Sequence, residues 1–275
     1  MAPHLLMSSR TGYKYGNFEA LDHMQWDGLT NPYDSKAMGT CGDQCAAVHK
    51  VTREAQDEYA LSSYTRSRQA IESGLFKSEI VPVEVKQKSQ PLIVERDEEP
   101  FGVDLAKIKG LKPAFDPQGS VTAGNASSLS DGAALLVIME EDLAIKKGLP
   151  ILAKITGSAT HSQKPEWFTT APIRGIQKLL EKTGLRKDEI DLFEINEAFS
   201  LVPMIAMTQL GLDPQKVNTC GGAVSLGHPI GASGARILVT LIHALLRKGK
   251  GRGIGSICNG GGEACSLVLE TGTHT

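Results

Sequence analysis

Residues 190–210, with the sequence IDLFEINEAFSLVPMIAMTQL, predict a buried strand followed directly by a helix. The first six residues are mostly apolar, which is typical of a strand that is covered on both faces of a sheet. From Ala198 onwards the apolar residues change to helical spacing. Because a strand that leads into a helix is the repeating unit of layered α/β proteins, this stretch predicts an α/β fold.

The same alternation of strands and helices is predicted from residue 121 to residue 270. Towards the N-terminus, residues 1–120 are rich in loops and turn signals, and they contain one predicted helix and one short strand. Gly184 is expected to end a helix as its C-terminal cap. Strands are predicted over 80–85, 131–140, 151–157, 217–219, 253–258 and 265–270, and helices over 52–74, 172–182 and 231–247.

The composition argues against nucleic-acid and membrane partners. The chain has 29 Lys+Arg and 31 Asp+Glu, a net charge of −2, so it has no excess of positive charge to release counterions from a polyanion. The longest apolar run, 237–246, is far shorter than the roughly 20 residues that span a bilayer. No targeting leader is visible before the first polar residues. The odd count of 5 cysteines favours reduced thiols over a disulfide framework.

Asn196 is the first candidate for chemistry, because it comes directly after a predicted strand. Open α/β sheets bind their ligands beyond the carboxyl ends of strands, where this carboxamide would point. The alternative is that Asn196 caps the following helix.

His228 is the second candidate, within the glycine-rich stretch GGAVSLGHPIGASGAR at residues 221–236. Five glycines around His228-Pro229 indicate a backbone that approaches another group closely. The stretch lacks the spacing of a phosphate-binding loop. A structural histidine at a helix start is the alternative.

Cys258 is the third candidate, at the end of a predicted strand and before three glycines. Its thiol could act as an acid or base, and the N–H of Gly260 could hold an oxyanion. An inert core thiol is the alternative. Cys41, Cys45 and His49 are spaced i, i+4, i+8 and could share a helix face as zinc ligands. Against zinc, no fourth ligand lies near them, and inert cysteines are commonly buried.

Together and in this order, these three motifs resemble the C-terminal motifs of the thiolase family. The resemblance extends to VTAGNASSLSDGAA at residues 121–134 and is closest to the mitochondrial acetoacetyl-CoA branch. It implies a thiolase-like layered α/β fold with the C-terminal half, a loop domain and an incomplete N-terminal domain. The implied parts are a loop domain that covers CoA at 1–120, a remnant of the N-terminal domain at 121–149, and the C-terminal domain at 150–275.

The resemblance also implies a reaction, the Claisen condensation of two acetyl-CoA molecules or the thiolysis of a 3-ketoacyl-CoA. His228 would activate an acyl-accepting thiol and, with Asn196 acting through a water, hold the enolate oxygen. Cys258 would remove and return the α-proton, and the N–H of Gly260 would join a second oxyanion hole. CoA enters as substrate, and no other cofactor is implied except the family's potassium ion. The residues implied to contact the CoA substrate are Ser127, Ala123, Phe115, Phe199, Phe168 and Met38.

Several positions depart from the family pattern. The family's acyl-accepting cysteine belongs to a segment that precedes the one resembled by Met1–His4, and neither Cys41 nor Cys45 begins a Cys-x-Ser motif. Pro100 and Gly102 replace a tyrosine expected at a potassium site and an arginine expected near the CoA adenine. The alternative function is therefore a non-catalytic thiolase-like protein that binds CoA or a partner chain. The resemblance further implies a homo-oligomer, located in mitochondria or alternatively in the cytoplasm.

Overall fold

The computed structural model describes residues 2–88 and 90–272, which contain both helices and strands. The strands in this part of the chain are β1 His4–Leu5, β2 Leu21–Asp22, β3 Val83–Val85, β4 Leu92–Val94, β5 Lys154–Ser162, β6 Leu192–Ile195, β7 Gly251–Asn259 and β8 Glu263–Thr271. The α-helices are α1 Met38–His49, α2 Arg53–Glu72, α3 Glu99–Gly102, α4 Glu141–Lys146, α5 Ala171–Thr183, α6 Leu201–Leu210, α7 Ala223–Leu226 and α8 Ser233–Arg247. The predicted α/β class is confirmed.

A mixed four-stranded sheet organises residues 150–272, with strands in the order β5-β8-β7-β6. β6 runs parallel to β7, and β8 runs antiparallel to both β7 and β5. The predicted helix before β6 is α5, which ends at Gly184 with φ +70°, so Gly184 is the C-terminal cap. The strands predicted at 253–258 and 265–270 are β7 and β8, whereas β5 begins at Lys154 rather than at residue 151 and is largely exposed instead of buried.

The two faces of the sheet are covered by different helices. On one face, Ile195 and Ile254 join a core with residues of α5 and α6. On the other face, Leu192 packs with Leu241 and other residues of α8. Gly253 of β7 makes this second contact possible, since a Cβ there would lie 2.6 Å from the Leu241 side chain. β6 is thus covered on both faces, as its apolar sequence predicted.

Helices α1 and α2 form most of the regular structure in residues 2–128. α2 matches the predicted helix: Thr52 accepts a hydrogen bond from the N–H of Ala55 at 3.2 Å, and Gly74 follows the helix with φ +74°. Asp43 of α1 accepts hydrogen bonds from the backbone of Ser120 and Val121. These bonds attach the segment at residues 120–121 to α1.

Three predicted strands are wrong or shortened. Residues 131–140 are not in a strand and are largely exposed, because no strand of the described residues pairs with them. Residues 217–219 are also not a strand: Val217 forms an isolated bridge with Phe193, and Asn218 then turns the chain with φ +47°. The strand expected at 80–85 is limited to β3, which pairs only with β4 in an exposed hairpin.

The exposed apolar run at 135–139 leads us to expect self-association of the 275-residue chain. Leu135, Val137 and Ile138 are 79, 77 and 72% exposed, and unpaired apolar segments promote edge-to-edge association. Light scattering should show oligomers at micromolar concentration. Val137→Lys should shift the population towards monomer, whereas Val81→Lys, at an equally exposed valine, should not. A monodisperse monomer of the unmodified chain would contradict the expectation.

The described residues include no helix with the length and apolar content needed to cross a bilayer.

Candidate active site

The three predicted motifs meet at one edge of the main sheet. Asn196 follows β6 directly, and its N–H bonds the carbonyl of Ser256 in the neighbouring parallel strand β7 at 3.0 Å. Cys258 lies two residues further along β7, and Gly260 follows the strand. Parallel strands end at the same edge of a sheet, so the ends of β6 and β7 place these residues in one region.

Asn196 faces His228 and does not cap a helix. Its Nδ2 lies 3.4 Å from Nε2 of His228. Helix α6 begins only at Leu201, five residues later, and Ser200 occupies its N-cap position. Oδ1 of Asn196 is buried and has no hydrogen-bond partner among the described residues. The capping alternative is therefore wrong, and the carboxamide keeps a free acceptor beside the imidazole.

The hydrogen bonds of His228 favour one tautomer. Nδ1 lies 2.6 Å from Oγ of Ser233, and that hydroxyl is also 3.1 Å from the carbonyl of Pro229. A carbonyl can only accept, so the arrangement in which the serine proton satisfies Pro229 has Nδ1–H of His228 donating to Ser233. Nε2 therefore carries the lone pair, which the Asn196 amide approaches. Ser233 was not identified from the sequence, although its place in the first turn of the helix after His228 is a signal for it.

Burial makes the imidazole of His228 neutral at physiological pH. Loss of hydration and, secondarily, the positive charge of Arg236 lower its pKa to about 4. Just before it, Gly227 has φ +89°, and a Cβ there would lie 2.2 Å from Oγ of Ser130. The backbone N–H of His228 bonds the carbonyl of Ser128 at 3.1 Å. This glycine is thus needed for the turn that presents the neutral imidazole of His228.

Cys258 is a buried thiol, and burial raises its pKa to about 12. In the turn that follows, Asn259 accepts hydrogen bonds from the N–H groups of Gly261, through Oδ1 at 2.9 Å, and of Gly262, through its carbonyl at 3.2 Å. The N–H of Gly260 has no partner among the residues that the structure describes. It is therefore the one N–H of the three glycines that remains available to a ligand.

Comparison with known proteins places the chain in a family. Residues 1–142 match the family model "Thiolase, N-terminal domain", and residues 149–271 match "Thiolase, C-terminal domain". The chain belongs to the thiolase family. The resemblance predicted from the sequence motifs is confirmed.

Individual thiolases are similar over almost the whole chain. "Acetyl-CoA acetyltransferase 1" of Arabidopsis thaliana is 49% identical over 272 residues, which cover 98% of this chain and 65% of the relative. The crystal structure of the Bacillus anthracis acetyl-CoA acetyltransferase has a TM-score of 0.94 at 42% identity, over 98% of this chain and 68% of that one. An Ascaris suum thiolase structure in complex with coenzyme A has a TM-score of 0.89 at 37% identity, over the same shares. The chain thus spans just under two thirds of the length of the Arabidopsis relative.

Four of the six residues that the thiolase resemblance assigns to CoA lie close together. They are Met38, Phe115, Phe168 and Phe199. The Phe199 ring lies 6.5 Å from that of Phe115 and 6.4 Å from that of Phe168, measured between centroids. Met38 lies against Gly260, since a Cβ there would be 2.5 Å from its Cε. Phe115 in turn lies against Gly39, the residue after Met38. These side chains form an apolar wall that extends to the candidate oxyanion donor.

The other two assigned residues lie in the segment that follows residue 121. Ser127 lies beside residues 196–200, which connect β6 to α6 and are called the Asn196 loop. Its hydroxyl donates to the carbonyl of Ala198 at 3.0 Å. Ala123 is exposed in the preceding turn and is not part of the apolar wall. Their contacts with CoA stay predictions.

The same segment joins the Asn196 loop to the stretch at residues 218–228, which is called the His228 loop. Ala126 forms a β-bridge with Phe199, and Leu129 forms one with His228. The segment 126–129 therefore holds the Asn196 loop and the His228 loop in one place.

The zinc alternative for Cys41, Cys45 and His49 finds no support. The residues do lie on one helix, α1, but both cysteines pack into the main core, and His49 bonds the amide of Gln209 at 3.2 Å. No group of three or more His, Cys, Asp or Glu side chains in the described residues is placed to hold a metal ion.

The segment around Pro100 does not fit the potassium site that the resemblance implied. Proline supplies no phenol, and its carbonyl already accepts a hydrogen bond from Nε of Arg68 at 2.6 Å. The carbonyl of Val103 accepts a second bond from the same guanidinium at 2.8 Å. No step is assigned to potassium here.

A cavity of about 750 Å³ lies elsewhere, between residues 135–155 and helix α8, and is lined by apolar side chains such as Val137, Ile155 and Ile242. It contains none of the predicted site residues, so the chemistry is not assigned to it.

Proposed function

We propose that this chain provides the enolate-forming part of an acetyl-CoA C-acetyltransferase, which condenses two acetyl-CoA molecules or cleaves acetoacetyl-CoA. The observation that carries the proposal is the convergence of the Asn196 amide and Nε2 of His228 at the sheet edge where Cys258 lies. Enolate formation needs a base near the α-carbon and donors near the thioester oxygen. The homo-oligomer, the mitochondrial location and the domain division at 120 and 149 stay predictions.

Each residue has a defined task in this proposal. The thiolate of Cys258 takes the α-proton of acetyl-CoA and later returns a proton to the same carbon. Cys258 becomes a thiolate by releasing its thiol proton to solvent, and Nε2 of His228 takes one proton from solvent, because in the tautomer described above it cannot donate. As an N–H it then holds the enolate oxygen together with a water on Asn196. The apolar wall of Met38, Phe115 and the two other phenylalanines would lie along the CoA thioester.

The acyl-accepting thiol is not assigned to any cysteine of the printed sequence. None of the five begins a Cys-x-Ser motif. Cys41, Cys45 and Cys220 are buried, and burial raises the pKa of each thiol. With this role unassigned among the printed residues, the second candidate is a thiolase-like protein that binds CoA without turnover.

Proton exchange distinguishes the two functions, because it needs no acyl-accepting thiol. Acetyl-CoA in D₂O with the purified chain should lose its acetyl methyl proton signal faster than in buffer alone, at saturating acetyl-CoA. Bound acetyl-CoA with no exchange above buffer would reject the enolate-forming function and support the binding protein.

A further inference from the structure

Glu197 carries a buried carboxylate that accepts four hydrogen bonds. Oε1 accepts from the Tyr59 hydroxyl at 2.8 Å and from Nδ2 of Asn218 at 2.9 Å. Oε2 accepts from the Ser63 hydroxyl at 2.8 Å and from the backbone N–H of Val224 at 3.1 Å. The side chain is fully buried. Since a buried charge is costly unless it is fully hydrogen-bonded, this arrangement is specific for a carboxylate at this position.

These donors come from two separate parts of the chain. Tyr59 and Ser63 lie one turn apart on α2, while Asn218 and Val224 belong to the stretch that leads to His228. The same carboxylate is also adjacent in sequence to Asn196. It therefore connects α2, the His228 loop and the Asn196 loop.

Asn218 extends this connection to the strand that carries Asn196. Its Oδ1 accepts from the N–H of Ile195 at 2.9 Å, and its Nδ2 donates to the carbonyl of the same residue at 2.8 Å. Asn218 reaches this position with a left-handed backbone, φ +47°, which asparagine tolerates better than most residues. The residue before Asn196 is thus tied to the start of the His228 loop.

Gly222 lets the His228 loop approach the carboxylate closely. A Cβ at this position would lie 2.3 Å from Cδ of Glu197. Its N–H bonds the Ser63 hydroxyl at 3.1 Å, and that hydroxyl in turn donates to Glu197. The path of the loop from residue 222 to His228 therefore depends on the carboxylate.

We propose that Glu197 is a positioning residue whose carboxylate fixes the Asn196 amide against Nε2 of His228 by joining both loops to helix α2. The proposal rests on the proposed enolate-forming function. A displacement of about 1 Å between positioned groups can cost about 100-fold in rate.

Glu197→Gln is the main test, because it keeps the size of the side chain but offers an amide to donors. We expect kcat for acetyl-CoA proton exchange to fall about 10- to 100-fold, with KM changed less than about twofold. Glu194→Gln is the matched control: Glu194 is a buried glutamate three residues earlier, on the face of β6 that Leu192 shares with α8. Burial raises the pKa of Glu194 to about 8, so its carboxyl is largely protonated at pH 7, and glutamine resembles it closely. Its kcat should stay within about twofold.

The ¹⁵N resonance of His228 Nε2 is a second readout that needs no substrate. In Glu197→Gln this resonance should move towards its position in Asn196→Ala, where the hydrogen bond is lost, and in Glu194→Gln it should stay in place. If Glu197→Gln does not fold, Tyr59→Phe removes one donor to the carboxylate and should move the resonance in the same direction.

Two results would overturn the proposal: an unchanged Nε2 resonance in Glu197→Gln, or an unchanged kcat with only a lower free energy of unfolding. The proposed function fails separately, if the unmodified chain binds acetyl-CoA and shows no exchange. In that case the resonance still tests whether Glu197 positions the pair.

Discussion

Cys258→Ala is expected to reduce acetyl-CoA proton exchange to the rate in buffer. The thiolate is the only base that the proposal assigns to the α-carbon, and alanine cannot accept a proton. Alanine is also close in size to cysteine, so the core around β7 should keep its packing. Cys220→Ala is the matched control, because Cys220 is an equally buried thiol whose pKa burial also raises, in a separate core cluster. It should exchange at the rate of the unmodified chain. Equal exchange in all three proteins would show that Cys258 is an inert core thiol.

The pH profile of this exchange follows from two opposite pKa shifts. The active form needs a protonated His228, whose pKa is lowered to about 4, and a deprotonated Cys258, whose pKa is raised to about 12. Between these two pKa values, each rise of one pH unit increases the thiolate fraction of Cys258 tenfold and decreases the imidazolium fraction of His228 tenfold. The fraction of molecules in the active form therefore stays constant. We therefore expect kcat/KM to be level from about pH 5.5 to 9.5. A tenfold rise per pH unit would contradict this and indicate that His228 acts in its neutral form.

His228→Ala is expected to reduce exchange by about 100- to 1000-fold, the usual effect of removing one oxyanion donor. The remaining rate should have a different pH profile, because only the Cys258 thiol still titrates. It should then rise about tenfold per pH unit towards the pKa of about 12. His243→Ala is the control: burial also lowers the pKa of His243, which bonds a serine hydroxyl, Ser78, at 3.0 Å. Its rate and profile should match the unmodified chain, and an equal loss in both variants would contradict the role of His228.

The fold of residues 150–272 was largely predictable, because its strands and helices are long and locally marked. The apolar run before Asn196 marks a buried strand, and Gly184 marks the end of a helix. Each signal depends only on its own element and the residues packed against it. Residues 131–140 failed as a prediction because an apolar run becomes a strand only when another strand pairs with it. No pairing strand is present in the described residues.

The contacts within the candidate site were less predictable than its members. Asn196, His228 and Cys258 are marked by unusual local sequence, whereas their geometry depends on residues far away in the chain. Glu197 was missed for this reason, since its donor Tyr59 is 138 positions away. The one local signal for Glu197 is its position, because it is a charged residue between a buried strand and an apolar helix.

The segment 126–129 has a consequence for recombining this protein with its relatives. It lies within residues 1–142, which match one family domain, yet it bridges to Phe199 and His228 in the part that matches the other. A crossover between residues 142 and 149 would therefore combine a bridging segment from one parent with both loops from another. Chimeras made there should keep their function only when the two parents agree at positions 126–129 and at the loop residues these contact, so the inherited unit is larger than either domain.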